Sequence, residues 1–250
     1  MGALTFGYDQ RLNESTFTGI YGGYATGQLE SEKAGWDNDM QSAYAGAYVH
    51  HSFDRVSTAL NLMGGFSWTE NEREFTDNTV EGGLVKTEKD ANSFFFAPEV
   101  TLGYDFNLGN SVVTPSIAGR YVYLRQNGYN EGVENGLKVL GHDAQQFNLR
   151  TQVTYAFGNN TADSVGQWGA SLRAGLDLYS NWGDDVEGNV LGRGFHFANS
   201  SDEQGLRSFV GANLEYGVSK NVAFNLGTEG AYDTQGAFSG NGRAGVSIKF

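Results

Sequence analysis

Apolar residues recur at every second position along nearly the whole of this chain. From Gln167 to Tyr179, Trp168, Ala170, Leu172, Ala174, Leu176 and Leu178 alternate with Gly169, Ser171, Arg173, Gly175 and Asp177. A period of two places one set on each face of a β-strand; a helix would need a period near 3.6. Gln146 to Phe157 repeats the pattern, and so does the stretch ending in Val246, Ile248 and Phe250. An all-β, antiparallel fold follows.

Eleven strands can be read, over residues 2–12, 16–26, 40–53, 56–69, 92–107, 112–127, 142–157, 165–180, 205–217, 222–232 and 239–250. Most are about ten residues or longer. A globular strand is typically ~5–6 residues, whereas a tilted strand crossing a bilayer needs ~9–11. The connections alternate in length. Short ones fall near Asn13–Ser15, Asp54–Arg55, Leu108–Ser111, Asn159–Ser164 and Ser219–Asn221, and long ones near Gly27–Asp39, Glu70–Ala91, Gly128–Gly141, Asn181–Gln204 and Asp233–Phe238. Tight turns at one end and long loops at the other are the layout of an up-and-down transmembrane β-barrel. The five long loops hold 19 of the 29 Asp and Glu residues, so the net charge of −13 belongs mostly to one end of the molecule.

That negative balance excludes nucleic acid as a partner, because phosphate binding requires basic stripes. No run approaches the ~18 apolar residues of a spanning helix. The first residues, MGALTFGYDQRL, lack the basic and apolar regions of a signal peptide, so any export signal is expected upstream.

Soluble and membrane barrels differ in which face points inward. The polar face here carries both signs of charge: Arg120, Arg150, Arg173, Arg243 and Lys249 with Glu99, Asp105, Asp177, Glu215 and Glu229. Aromatic residues gather beside the short turns, at Phe53, Tyr104, Phe106, Tyr155, Phe157 and Tyr216, as membrane-interface belts do. Both features favour a polar lumen inside and lipid outside, with Glu99, Asp105, Arg120, Arg150, Arg173, Asp177, Glu215, Glu229 and Arg243 lining the pore.

Particular motifs resemble the autotransporter β-domain. Val112 to Phe157 carries Pro115 early in a strand, then Tyr121 and Tyr123, then Gly128, Tyr129 and Glu131, and then a strand ending in an aromatic. Upstream, Gly7-Tyr8-Asp9 is followed by Thr18-Gly19-Ile20-Tyr21-Gly22-Gly23-Tyr24, similar to the family's Gly-x-Asp strand and its Gly-rich partner. The last strand, with Val246, Ile248 and the terminal Phe250, looks like the signal read by the barrel-assembly machinery.

The resemblance covers nearly the whole chain and implies a translocator of type V protein secretion in the outer membrane of a Gram-negative bacterium. Its partners would be outer-membrane lipid, the assembly machinery, and the protein's own passenger and linker helix, the helix lying in the lumen. Family members have twelve strands. Residues 1–250 are therefore expected to form one translocator domain lacking its first strand, linker helix and passenger, so that closure requires either parallel pairing of the first and eleventh strands or a partner strand supplied elsewhere. The other reading is a free-standing porin-like channel or surface-binding barrel without a passenger.

No catalytic, cofactor or metal motif stands out. His50 and His51 adjoin on a strand and face opposite sides. His142 and Asp143 are the only pairing that suggests acid–base work, and no enzymatic role is expected.

Overall fold

The computed structural model describes residues 1–31, 36–76, 82–132, 136–158, 166–190, 192–197, 203–219 and 221–248. In chain order the strands are β1 (Gly2–Asn13), β2 (Thr16–Ser31), β3 (Trp36–Phe53), β4 (Val56–Thr76), β5 (Leu84–Tyr104), β6 (Phe106–Leu108), β7 (Ser111–Gln126), β8 (Tyr129–Asn130), β9 (Lys138–Val139), β10 (His142–Gly158), β11 (Trp168–Gly183), β12 (Val186–Val190), β13 (Arg193–Phe197), β14 (Gln204–Ser219), β15 (Val222–Asp233) and β16 (Phe238–Ile248). Eleven of them form one antiparallel sheet in the order β1-β2-β3-β4-β5-β7-β10-β11-β14-β15-β16. β6 continues β5 against β7, since Gly103↔Ser116 and Phe106↔Val113 belong to one register, with Asp105 between the two strands.

Strands joined by a tight turn pair as hairpins. The β3–β4 turn is Asp54-Arg55, and Asp54 sits at φ 51, a left-handed conformation that a short polar side chain tolerates. Pro98 lacks a donor, and the β5–β7 ladder passes over it, from Phe96↔Tyr123 to Glu99↔Arg120.

The sheet curls, and its polar face is concave. Tyr21 of β2 donates to Asn61 of β4 at 2.9 Å, and Tyr179 of β11 donates to Asp233 of β15 at 2.8 Å, each across two strand places. Arg150 of β10 reaches Glu229 of β15 at 2.7 Å across three. Three places span ~14 Å in a flat sheet, so these contacts require strong curvature. The opposite face is convex and apolar: Leu172, Leu176, Leu178, Val210, Leu214, Phe224 and Leu226 are all exposed, Val210 by 65%. Aqueous folding buries such side chains; here they point away from the protein, as lipid contact requires.

Aromatic side chains mark two levels on the convex face. At the short-turn end Tyr104 packs on Phe106, Tyr155 on Phe157 and Trp168 on Tyr216. At the long-loop end Phe94 packs on Tyr123, and Tyr121 on Trp182. On β10 the levels lie eight to ten residues apart, from Phe147 to Tyr155 and Phe157. At ~3.4 Å per residue and a tilt of ~35–45°, that is roughly 19–28 Å of height, against an apolar band of ~25 Å.

The sequence-based expectations need two corrections. The stretches around 27–39 and 70–91 are largely strand: β2, β3, β4 and β5 run well past the upper aromatics, so several of the acidic residues assigned to loops sit on strands. The connections at 128–141 and 181–204 contain four short strands that form a second sheet, in the order β13-β12-β9-β8. In keeping with the odd strand count, among the described residues β1 pairs with β2 and β16 with β15, and no ladder joins β1 to β16. The sheet is a curled half-barrel with two exposed edges. Every residue of β1 is exposed, on both faces.

Candidate functional site

The strand registers define a single charged trough. Glu99 pairs with Arg120, Ala118 with Arg150, Arg150 with Asp177, and Asp177 with Arg207; Gly211 pairs with both Arg173 and Glu229. Directly opposed residues share a face, as do residues two apart. Glu99, Asp105, Arg120, Arg150, Arg173, Asp177, Glu215, Glu229 and Arg243 therefore all lie on the concave face. Arg207 and Asp233 share it and were missed in the sequence, because they fall at strand ends where the apolar alternation has faded.

The charges are wired into networks. Glu229 accepts from Arg150 Nη2 at 2.7 Å and from Arg173 Nε at 2.9 Å. Arg150 also lies 3.6 Å from Asp177, which is 5% exposed, and its guanidinium stacks over Phe209 at 3.5 Å. Phe209 itself is 3% exposed, occupying the space left by the missing side chain of Gly175. Glu99 accepts from Arg120 Nε at 2.6 Å, Asp105 from Thr114 at 2.6 Å, and Asn213 from Arg243 at 2.9 Å. Arg207 stands 3.7 Å from Asp233. Glu215 lines a recess of about 420 Å³ together with Asn213, Asn225 and Arg243, and a second recess of about 230 Å³ lies between Glu99, Arg120, Arg150, Asp177, Arg207 and Glu229.

The trough is thus polar, close to charge-balanced and internally braced. Such a wall can hold water or a polar chain segment without a strong preference for either sign.

The histidines divide between the faces. His50 stacks on Phe17 within the trough at 4.6 Å, and His51 meets Thr16 Oγ1 at 2.9 Å on the convex side. Asp143 is engaged by Arg125 Nη1 at 2.5 Å and by Tyr123 at 2.9 Å on the convex side, while the register places His142 on the concave one. Among the described residues no group of His, Asp and Glu is arranged to hold a metal ion.

Val246 and Ile248 lie exposed on the convex face of β16, paired with Phe224 and Val222. Phe250 and Lys249 lie outside the described residues.

Three similarities bear on this geometry. The family model for the autotransporter beta-domain matches residues 1–229. The translocator domain of the autotransporter NalP from Neisseria meningitidis superposes with a TM-score of 0.75 at 14% identity, covering 99% of this chain and 79% of that one. The beta domain of the Bordetella autotransporter BrkA gives 0.71 at 16% identity, covering 99% and 90%. Among curated proteins, the uncharacterized protein YaiT of Salmonella typhimurium is 24% identical over all of this chain, and its Escherichia coli K12 counterpart is 23% identical. The chain spans 24% of the length of each.

Proposed function

This chain belongs to the autotransporter beta-domain family, and from that premise we propose that it is an outer-membrane translocator of a Gram-negative bacterium that anchors and exports an N-terminal passenger. One observation carries this reading: a braced, mixed-charge concave face backed by an exposed apolar convex face. The convex face suits lipid. The concave face suits a polar lumen lined by Glu99, Asp105, Arg120, Arg150, Arg173, Asp177, Glu215, Glu229 and Arg243, in which the linker helix rests after export. Val246, Ile248 and Phe250 are the residues the barrel-assembly machinery would read. The similarity to the NalP and BrkA domains supports the fold on which this rests, and the greater length of the YaiT relatives leaves room for a passenger.

The reading is tested by fusing a protease-sensitive reporter ahead of Met1, behind a signal peptide, in a Gram-negative host. Protease added to intact cells should remove the reporter while the barrel stays in the outer membrane. A reporter that remains protected in the periplasm beside a correctly inserted barrel would overturn export and leave a free-standing channel or surface-binding barrel.

A further inference from the structure

The motif Gly128-Tyr129-x-Glu131 is not used by the trough, yet its glutamate is among the most enclosed charges in the described residues. Glu131 is 6% exposed. Arg73 grips it with two bonds, Nε at 2.9 Å and Nη2 at 2.7 Å, and the Leu137 amide donates to it at 2.6 Å. Arg73 belongs to β4, whereas Glu131 lies in the connection between β7 and β10. The pair therefore joins a loop to the barrel wall.

Its position decides what it does. Asn38, Asn71 and Lys89 share one cross-strand row on the concave face, and Arg73 is the next concave residue up β4. Together with Tyr129, Glu131 and Leu137 they enclose a recess of about 300 Å³. The β8–β9 hairpin thus leans inward against the wall. On its other side Lys138 and Val139 pair with Asn189 and Gly188 of β12, and the Leu140 amide donates to Glu187 at 2.8 Å. The four-stranded loop sheet reaches from the inner wall at β4–β5 to the connection above β11 and β14.

The hairpin has only two-residue strands, too short to hold themselves in water. Its neck is pinched between two glycines. A Cβ on Gly128 would meet the Val139 carbonyl at 2.7 Å, and one on Gly141 would meet the Gln126 carbonyl at 3.1 Å. A weak hairpin on a narrow neck, fixed at its far end by an enclosed ion pair, is built as a strap.

We propose that the Arg73–Glu131 pair is a latch holding the β8–β9 hairpin and its loop sheet over the long-loop mouth of the trough, so that the mouth opens only when the pair parts. This rests on the proposed barrel reading, with the wall closed in the bilayer along the β1 and β16 edges, but not on passenger export. The latch is read in vesicles and export is read in cells, so either can fail without the other.

The full chain would be folded into planar bilayers and lipid vesicles as the parent, as Glu131→Gln, as Arg73→Gln, and as the charge exchange Arg73→Glu with Glu131→Arg. Folding of each is checked by β-sheet circular dichroism and heat-modifiable migration. Each single variant should show amide exchange in β8 and β9 at least about tenfold faster, since it strands one member of an enclosed pair, together with a higher mean conductance. The charge exchange should bring both quantities back towards the parent. Glu131→Gln keeps the shape of the side chain, so the test survives if the arginine variants do not fold. Faster exchange with unchanged conductance would reduce the pair to a brace and overturn the latch, as would parental behaviour in Glu131→Gln.

Discussion

Replacing Gly175 by Ala should destabilise the sheet where its charge network is densest. A Cβ built on Gly175 collides with the Thr151 carbonyl, comes to 2.7 Å from Phe209 Cζ and stands 2.8 Å from Gln152 Cα. Two of these three obstacles are backbone of the neighbouring strand, so a rotamer change cannot relieve them. The β10–β11 ladder has to open locally, and Phe209 has to leave the floor beneath Arg150.

Overpacking of this kind costs about 1–3 kcal/mol. Losing the Arg150–Phe209 stacking adds about 0.5–1 kcal/mol. Against this, removing a glycine from a strand returns about 0.5–1 kcal/mol. The net loss is about 1–3 kcal/mol, or roughly 5- to 150-fold in the unfolding equilibrium at 1.4 kcal/mol per tenfold. Reversible urea unfolding in lipid vesicles, followed by tryptophan fluorescence, measures it directly. Gly119→Ala is the internal control, because a Cβ there meets only Phe147, at 3.9 Å. If Gly175→Ala is as stable as Gly119→Ala, the close interlock of Gly175 and Phe209 is not a feature of the folded sheet.

Glu229→Ala should cost about 1–3 kcal/mol in the same unfolding assay, since it removes the shared acceptor of Arg150 and Arg173, and pairing it with Arg173→Ala should cost less than the sum of the two single changes. Leu176→Arg on the convex face should cost about 2–4 kcal/mol if that face meets lipid at the midplane. Attachment of the loop sheet should depend on pH through Glu131. Burial pushes its carboxyl up, but the Arg73 guanidinium and the Leu137 amide outweigh this and hold it below the ordinary glutamate range. The groups facing it are Arg73 from β4, Thr87 and Lys89 from β5, and Tyr129 from β8. A lowered folded value stabilises fully above the unfolded value of ~4.3 and is lost as pH falls through the folded one. Pepsin should therefore begin to cut within 129–140 only as the pH falls below the ordinary glutamate range, and Glu131→Gln should be cut without that threshold.

The alternation in β10, β11 and β14 exposed fold class and face assignment together, because lipid on one side and water on the other leave opposite residues at successive positions. The nine trough charges could be grouped for the same reason: parity alone puts Arg173 and Asp177 on one side. Parity does not reveal which strands come near each other across a curve, so the Arg150–Glu229 contact over three strand places was not legible. The signal fails where the chain leaves the bilayer. In β4 and β5, Glu70, Glu72, Glu88 and Asp90 on the convex face are as polar as Asn71 and Lys89 on the concave one, and a strand in water on both faces resembles a loop. Two-residue strands such as β8 and β9 have no period at all. The Arg73–Glu131 pair joins residues 58 apart, a relation that only the folded chain displays.

The upward reach of β4 and β5 sets how far the sheet stands clear of a bilayer. β4 continues from Trp68 to Thr76, eight residues past the upper aromatic level. At ~3.4 Å per residue and a tilt of ~35–45°, that is roughly 20 Å of wall, well beyond a headgroup layer of ~6 Å. Its outer surface bears Asp39, Glu70 and Asp90 in one row and Asp37, Glu72 and Glu88 in the next. Carboxylates in such rows resist sinking towards an anionic surface, as a keel resists rolling. On the proposed outer-membrane reading the rim becomes a parapet, and its edge lies in open water rather than among the lipids.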